Sequence, residues 1–177
     1  MRRKPGLILS DIERKIRNPE RSRERTMNRA IKLLAAKPRS VAELRELLLE
    51  KSWTNAAIVD EVIARLSGYG YVDDERLARD LVAAKIRNKP QGRRRLKHTL
   101  ELKQIDRRYI ESALEATFEV TPETELIKTA IERKIRRNGP PKSREEAKKL
   151  FDYLVRLGFD YELIRAQLRR IGIGKYE

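Results

Sequence analysis

Residues 44–62 read LRELLLEKSWTNAAIVDEV, and this pattern of apolar side chains decides the fold because it occurs three times. It returns 52 positions later in residues 96–114 (LKHTLELKQIDRRYIESAL) and a further 54 positions later in residues 150–168 (LFDYLVRLGFDYELIRAQL). Such a period indicates a repeated unit that stacks on its neighbours and buries a continuous core. The shared apolar skeleton consists of Leu44, Leu48, Trp53, Ile58 and Val62, then Leu96, Leu100, Ile105, Ile110 and Leu114, then Leu150, Leu154, Phe159, Ile164 and Leu168.

Helix signals accompany the copies of this skeleton. Ser40 and Glu43 have the spacing of a capping box, and so do Ser143 and Glu146. Proline ends the helices before them, since it disfavours helical geometry in the residue that it follows. No stretch shows the two-residue alternation of a half-buried strand. The sequence therefore predicts an all-α fold, an elongated array of three tandem three-helix repeats.

The boundaries of these repeats follow from turn and charge signals. We expect a basic N-terminal arm over residues 1–23, in which Asn18-Pro19 ends a short helix. Three-helix repeats should follow over residues 24–72, 73–121 and 122–177. The glycines of the segment 68–74 would separate the first two repeats by terminating a helix.

Composition narrows the class of partner. The chain has 177 residues, with 42 Lys+Arg against 27 Asp+Glu and a net charge of +15. A surplus of this size indicates affinity for polyanions, first for nucleic acid and then for an anionic membrane surface or an acidic protein. The alternative is that the charge only keeps the protein in solution. Cysteine is absent, which excludes disulfides and thiolate metal sites. No apolar run near the start is long enough for a signal peptide or a membrane span, so we expect a cytoplasmic protein that does not bind membranes.

The charge is unevenly distributed. Residues 85–108 contain ten basic and two acidic side chains and residues 128–149 nine and three, whereas residues 41–66 contain three and five. Stacked repeats would align the basic helix–helix turns of repeats two and three along one edge, which would hold a phosphate backbone without reading bases. Two independent solvated loops are the alternative. The candidate contact residues are Lys85, Arg87, Lys89, Arg93, Arg94, Arg95, Lys97, Arg133, Lys134, Arg136, Arg137 and Lys142.

Signals for catalysis are weak. His98 is the only histidine and lies in a basic helix, so a solvated position is favoured over a metal or triad role. The carboxylates of Asp73, Asp74 and Glu75 could bind a divalent cation, but helix capping explains them more simply. No phosphate-cradling glycine motif is present. We therefore expect no catalytic, metal or cofactor site, and no enzyme activity.

Four aromatic residues stand at informative positions. Trp53 and Phe159 occupy the place of Ile105 in the repeated skeleton and are expected to be core anchors. Tyr69 and Tyr71 are expected to pack at the junction between repeats. The alternative for these tyrosines is a surface role against a nucleic-acid base or a partner protein.

The segment GYVDDERLA at 70–78, followed by the basic turn and the skeleton from Leu96 to Leu114, resembles the RecX family of bacterial regulatory proteins. The resemblance covers about residues 25–171 and implies tandem three-helix repeats. Leu77 stands where the family usually has phenylalanine, and QGRRR at 91–95 contains more arginines than the usual turn. The arm at 1–23 lies outside the resemblance.

This resemblance implies a non-enzymatic regulator that binds the RecA recombinase and its DNA filament and restrains its activity in DNA repair, homologous recombination and the SOS response. It also implies affinity for DNA, which we expect to be without sequence specificity, and we expect a monomer. Charge reversal at Arg93, Arg94 and Arg95 should then weaken filament binding without unfolding the protein. The rival hypotheses are a basic DNA-binding module without a RecA partner and a metal-dependent nuclease using Asp73 and Asp74.

Overall fold

The computed structural model describes Arg14 and residues 16–173, which form nine helices and no strand. This confirms the all-α fold. Within the same part of the chain, no helix is both long enough and apolar enough to cross a membrane. The helices are α1 Pro19–Ala36, α2 Val41–Leu49, α3 Ala56–Gly68, α4 Asp74–Asn88, α5 Arg93–Glu101, α6 Arg107–Val120, α7 Glu123–Asn138, α8 Arg144–Arg156 and α9 Tyr161–Arg170.

Side-chain caps fix most helix starts. Ser40 forms the expected capping box with Glu43 at the start of α2, and Ser143 accepts the Glu146 N–H at the start of α8. The short helix expected in the N-terminal arm lies outside the described residues. At Asn18 the side chain accepts the Arg21 N–H, and Pro19 is the first residue of α1. Proline suits this position because its missing N–H would have no partner in the first turn. Asn18-Pro19 therefore starts a helix, and residues 19–23 of the expected arm belong to α1.

The chain divides into two compact units. The first contains the described residues up to Leu77 together with Lys103–Ile105. In it, α1, α2 and α3 pack on one another around a core that includes Ala30, Leu44 and Val59, all fully buried. Repeat one thus has the three-helix form that the skeleton predicts.

The second unit contains Ala78–Leu102 and the described residues from Asp106 onward. Its α5 packs on α6, and α7, α8 and α9 pack on one another. The core of the last three helices includes Ile127, Leu154 and Ile164, none of which is measurably exposed. This unit therefore contains the last two helices of repeat two and all three helices of repeat three.

The skeleton residues are buried with one exception. Ile105 and Phe159 are 5% and 1% exposed, but Trp53 at the equivalent position is only half-buried and lies outside the core of its unit. The expectation for the tyrosines was wrong: Tyr69 is 65% exposed and Tyr71 70%. Their rings contact each other edge to face, with centroids 6.4 Å apart, so they form an exposed aromatic pair.

Candidate functional site

The twelve candidate cations divide into two groups according to their contacts. Four of them, at the start of α5, bind other parts of the second unit. The remaining eight, on α4, on α7 and beside them, have no carboxylate within 4.0 Å in the described part of the chain. Sequence reasoning treated all twelve as equivalent, and the structure separates them.

The first group links α5 to the turn between α8 and α9. The Arg94 guanidinium lies 2.7 Å from the Asp160 carboxylate and 5.3 Å from the centre of the Tyr161 ring. Arg95 Nη1 donates a hydrogen bond of 2.6 Å to the carbonyl oxygen of Arg156. These two arginines therefore hold repeat three against repeat two.

Backbone contacts make this junction tight. The Gly92 N–H donates to the Leu157 carbonyl oxygen at 2.9 Å, and the Arg94 N–H donates to the Gly158 carbonyl oxygen at 3.2 Å. A Cβ atom at Gly92 would overlap the backbone of Gly158. Glycine at position 92 therefore serves close packing between two turns.

The start of α5 also has two carboxylate partners. The Arg93 N–H donates to Glu123 Oε1 at 2.8 Å, and the Lys97 ammonium lies 2.6 Å from the Glu111 carboxylate. Burial raises the pKa of Glu123 above its ordinary value of 4.5, although the Arg93 N–H acts against this shift. The hydrogen bond from Lys97 lowers the pKa of Glu111. Arg93, Arg94, Arg95 and Lys97 therefore each have an intramolecular partner, and their role as contacts to RecA or DNA stays a prediction.

Two members of the second group lie near one aromatic ring. The Lys89 ammonium, from the turn after α4, lies 5.7 Å from the centre of the Tyr153 ring, and the Lys134 ammonium, from α7, lies 5.2 Å from it. The basic turn of repeat two and the basic helix of repeat three thus meet at α8. Two cations at one aromatic ring concentrate positive charge, which the ring quadrupole only partly offsets.

A cavity of about 260 Å³ continues this surface between α7 and α8. Lys134 and Lys149 both line it, together with Glu146, whose carboxylate accepts the Lys142 N–H at 2.8 Å. We call Lys89, Lys134, Lys149 and Tyr153 the Tyr153 patch. In the described residues none of its three lysines has a carboxylate partner within 4.0 Å, so the patch can bind phosphate or carboxylate oxygens.

The other six candidates of this group lie on α4, on α7 or in the segment after α7. Lys85, Arg87, Arg133, Arg136, Arg137 and Lys142 are exposed. Lys85 precedes Lys89 by four positions and so lies on the same side of the chain at the end of α4. Sequence reasoning missed Lys149 and Tyr153, and the available signal was the four basic residues among positions 142–149, which are interspersed with two glutamates.

The carboxylates once considered for a cation have structural roles. Asp73 accepts the Arg76 N–H at 2.9 Å and caps α4, as the capping interpretation predicts. Asp74 accepts the Val41 N–H at 2.9 Å. Across Arg14 and residues 16–173, no group of three His, Cys, Asp or Glu side chains could hold a metal ion. His98 is exposed, with Nδ1 3.8 Å from the Glu101 carboxylate.

Known proteins share this architecture and sequence. Family models described as the first, second and third three-helix domains of RecX match residues 27–66, 73–114 and 122–168. The regulatory protein RecX of Chlorobaculum tepidum is 30% identical over 152 residues, which cover 86% of this chain and 91% of that protein. The regulatory protein RecX of Bacillus licheniformis is 29% identical over 141 residues. These residues cover 80% of this chain and 53% of that protein. The crystal structure of RecX from Lactobacillus salivarius superposes with a TM-score of 0.75 at 21% identity, covering 87% of this chain and 99% of that one. With three consecutive domain matches over three consecutive helical triplets, the chain belongs to the RecX family of regulatory proteins.

Proposed function

We propose that this regulatory protein acts without catalysis, by binding the RecA recombinase and its DNA filament through the Tyr153 patch and restraining filament activity. The observation that carries the proposal is the approach of Lys89 and Lys134 to the same face of α8, at Tyr153. It places basic groups from two repeats on one surface.

The charge of this surface suits a long anionic partner. Lys89, Lys134 and Lys149 have no carboxylate partner in the described residues, so binding a phosphate breaks no ion pair there. Contacts of this kind are individually modest. A filament presents many equivalent sites, and the high effective concentration of the second contact after the first raises the overall affinity without a deep pocket.

The same charge supports a second candidate, a DNA-binding module without a RecA partner. Such a module would bind naked DNA through phosphates alone. If it neutralised about six phosphates, its affinity would fall roughly 10³-fold between about 50 and 200 mM salt. A regulator that also contacts RecA should lose less, because part of its binding free energy comes from protein contacts.

A comparison of naked and RecA-coated DNA at one salt concentration separates the two candidates. We expect the protein to bind the coated DNA more tightly and to slow strand exchange. Equal affinity for the two forms of DNA, with strand exchange unchanged, would contradict the RecA proposal and favour the DNA-binding module. Inhibition at few copies per filament would indicate capping of growing ends, and inhibition only near saturation would indicate occupancy along the filament.

A further inference from the structure

The start of α2 is covered by a turn that belongs to the next repeat. Ser40 caps α2 and is 0% exposed, and its Oγ donates a hydrogen bond to the Lys103 carbonyl oxygen. The Lys103 ammonium lies 2.8 Å from the Glu43 carboxylate. Lys103–Ile105 follow α5 in the chain but belong to the first unit. The second helix of repeat one therefore begins against the turn that precedes the third helix of repeat two.

The same kind of contact recurs one repeat later. The Gly92 N–H, at the start of α5, donates to the carbonyl oxygen of Leu157 in the turn between α8 and α9. Gly92 is buried, as Ser40 is. Repeat proteins stack in this way, because each unit makes a similar contact with its neighbour.

One surface of each kind is unoccupied in the described residues. The second helix of repeat three is α8, and Ser143 and Glu146 at its start are exposed. Trp53 lies in the turn between α2 and α3, which we call the Trp53 turn, and it is only half-buried. Its equivalents Ile105 and Phe159 are 5% and 1% exposed. The start of α8 thus lacks a covering turn, and the Trp53 turn covers no helix start.

The two unoccupied surfaces carry complementary charges. Lys51 stands 52 positions before Lys103, and Glu146 is the third residue of α8 as Glu43 is of α2. In the described part of the chain Glu146 forms no ion pair, and the Lys51 ammonium has only the Glu50 carboxylate, at 3.8 Å. Lys51 and Glu146 can therefore form the ion pair that Lys103 and Glu43 form between repeats one and two.

We propose that a second copy of this chain docks on these surfaces, with the Trp53 turn of one copy covering the start of α8 of another. Lys51 pairs with Glu146 of the second copy, and Ser143 of the second copy donates to the Lys51 carbonyl oxygen. A contact between two different surfaces leaves one of each free, so further copies can add. The proposal replaces the expected monomer by a weak assembly that grows with protein concentration.

The tryptophan reports this contact, because Trp53 is the only one in the chain. Each copy has a net charge of +15, so the measurement is made at about 0.5 M salt, where repulsion between copies is screened. The sedimentation coefficient should increase with concentration while the Trp53 emission moves to shorter wavelength. A chain that stays monomeric with unchanged emission up to about 1 mM would overturn the proposal. An emission shift that appears only with added poly-glutamate, in a monomeric chain, would overturn it in favour of an acidic peptide.

Charge reversal tests the pairing of Lys51 with Glu146. Lys51→Glu and Glu146→Lys should each weaken the self-association about tenfold, because each places like charges together. The double variant restores an opposite pair and should return to within about threefold of the parent. The matched control Lys37→Glu changes the charge by the same amount as Lys51→Glu at an exposed position of the same unit and should weaken association less than about twofold. No recovery in the double variant would overturn the assignment.

This inference goes beyond the RecA proposal and does not depend on it. Both experiments use the full chain alone, with neither RecA nor DNA present. Lys89→Glu with Lys134→Glu, which should abolish binding through the Tyr153 patch, should leave the self-association unchanged within about twofold. Failure of the RecA proposal and failure of this one are therefore distinguishable.

Discussion

The carboxylate of Glu123 accepts the backbone N–H of Arg93 at 2.8 Å, and this relationship is repeated in the first unit. There Asp74 accepts the N–H of Val41 at 2.9 Å. Val41 and Arg93 are each the first residue of the second helix of a repeat, and Asp74 and Glu123 each begin the first helix of the next. The first N–H groups of a helix have no hydrogen-bond acceptor within that helix. In both repeats, an acidic residue at the start of the next repeat therefore accepts the first N–H of the second helix.

This repeated contact predicts a pH dependence of stability. The raised pKa of Glu123 means that the folded protein binds more protons than the unfolded chain just above pH 4.5, so stability is lost as the pH rises through the folded pKa. Glu123→Gln removes this loss and keeps an oxygen acceptor for Arg93. The difference in free energy of unfolding, variant minus parent, should therefore become more positive as the pH rises from about 4 to about 7. Urea denaturation at several pH values measures it.

The control for this prediction is Glu119→Gln, which changes an exposed carboxylate on α6. The comparison of the two variants separates removal of the carboxylate at position 123 from removal of a negative charge elsewhere. A constant difference for Glu123→Gln would show that Glu123 does not titrate abnormally in the folded protein.

Close packing at the second junction predicts a strong effect of one added methyl group. Gly92→Ala would place a Cβ atom against the Gly158 backbone and should lower the free energy of unfolding by about 1–3 kcal/mol. Gly68→Ala, at the end of α3, has open space around the new atom and should be neutral or stabilising by up to about 1 kcal/mol. Thermal unfolding of both variants measures the contrast. Equal stability of the two variants would mean that the turns at Gly92 and Gly158 can move apart without a loss of free energy of unfolding.

The two groups of basic residues should differ in their effect on stability. Reversing Arg93, Arg94 and Arg95 to Glu would remove the contacts to Asp160 and Arg156 and place like charges together, at a cost of about 2 kcal/mol after allowance for solvent screening. The expectation that the triple reversal weakens filament binding without unfolding the protein stays a prediction, now with this stability cost attached.

Lys89→Glu, Lys134→Glu and Lys149→Glu together change the charge by the same amount. Only the substitutions at Lys89 and Lys134 remove contacts, both to the Tyr153 ring, and none of the three lysines loses a carboxylate partner within the described residues, so the cost should not exceed about 1 kcal/mol. Urea titration of the two triple variants measures both costs. A larger loss for the lysine triple would show that the patch is structural.

The exposed tyrosine pair should not contribute to the core. Tyr69→Ser with Tyr71→Ser should change the free energy of unfolding by less than about 0.5 kcal/mol, since both rings are exposed. Phe159→Ala, at a position that is 1% exposed, should cost about 3–5 kcal/mol. Calorimetry of the two variants tests this contrast. A large loss for the tyrosine variant would indicate that these rings support the junction after all.

The repeated skeleton could be predicted from sequence because helical periodicity and local caps are short-range signals. Leu44, Leu100 and Leu154 are buried as expected, and Ser40 and Ser143 cap their helices. The half-exposed position of Trp53 could not be predicted in this way, because its surroundings come from α1, some thirty residues away in the chain.

The candidate site was predicted only in part, for a similar reason. The basic character of both turns is visible in the sequence, but the partners of Arg94 and Arg95 lie more than sixty residues away. Composition alone cannot separate a solvated arginine from one that is bound to a distant turn. The meeting of Lys89 and Lys134 at Tyr153 likewise depends on how repeats two and three pack.

Inhibition of RecA ATP hydrolysis on single-stranded DNA tests the central claim most directly. Lys89→Glu with Lys134→Glu should raise the concentration of protein needed for half-inhibition at least about tenfold, because two phosphate contacts become repulsive. The matched pair Lys32→Glu with Lys37→Glu, with the same change of charge in the first unit, should shift it no more than about twofold. If the folded Lys89/Lys134 variant inhibits as well as the parent protein, the Tyr153 patch does not bind the filament.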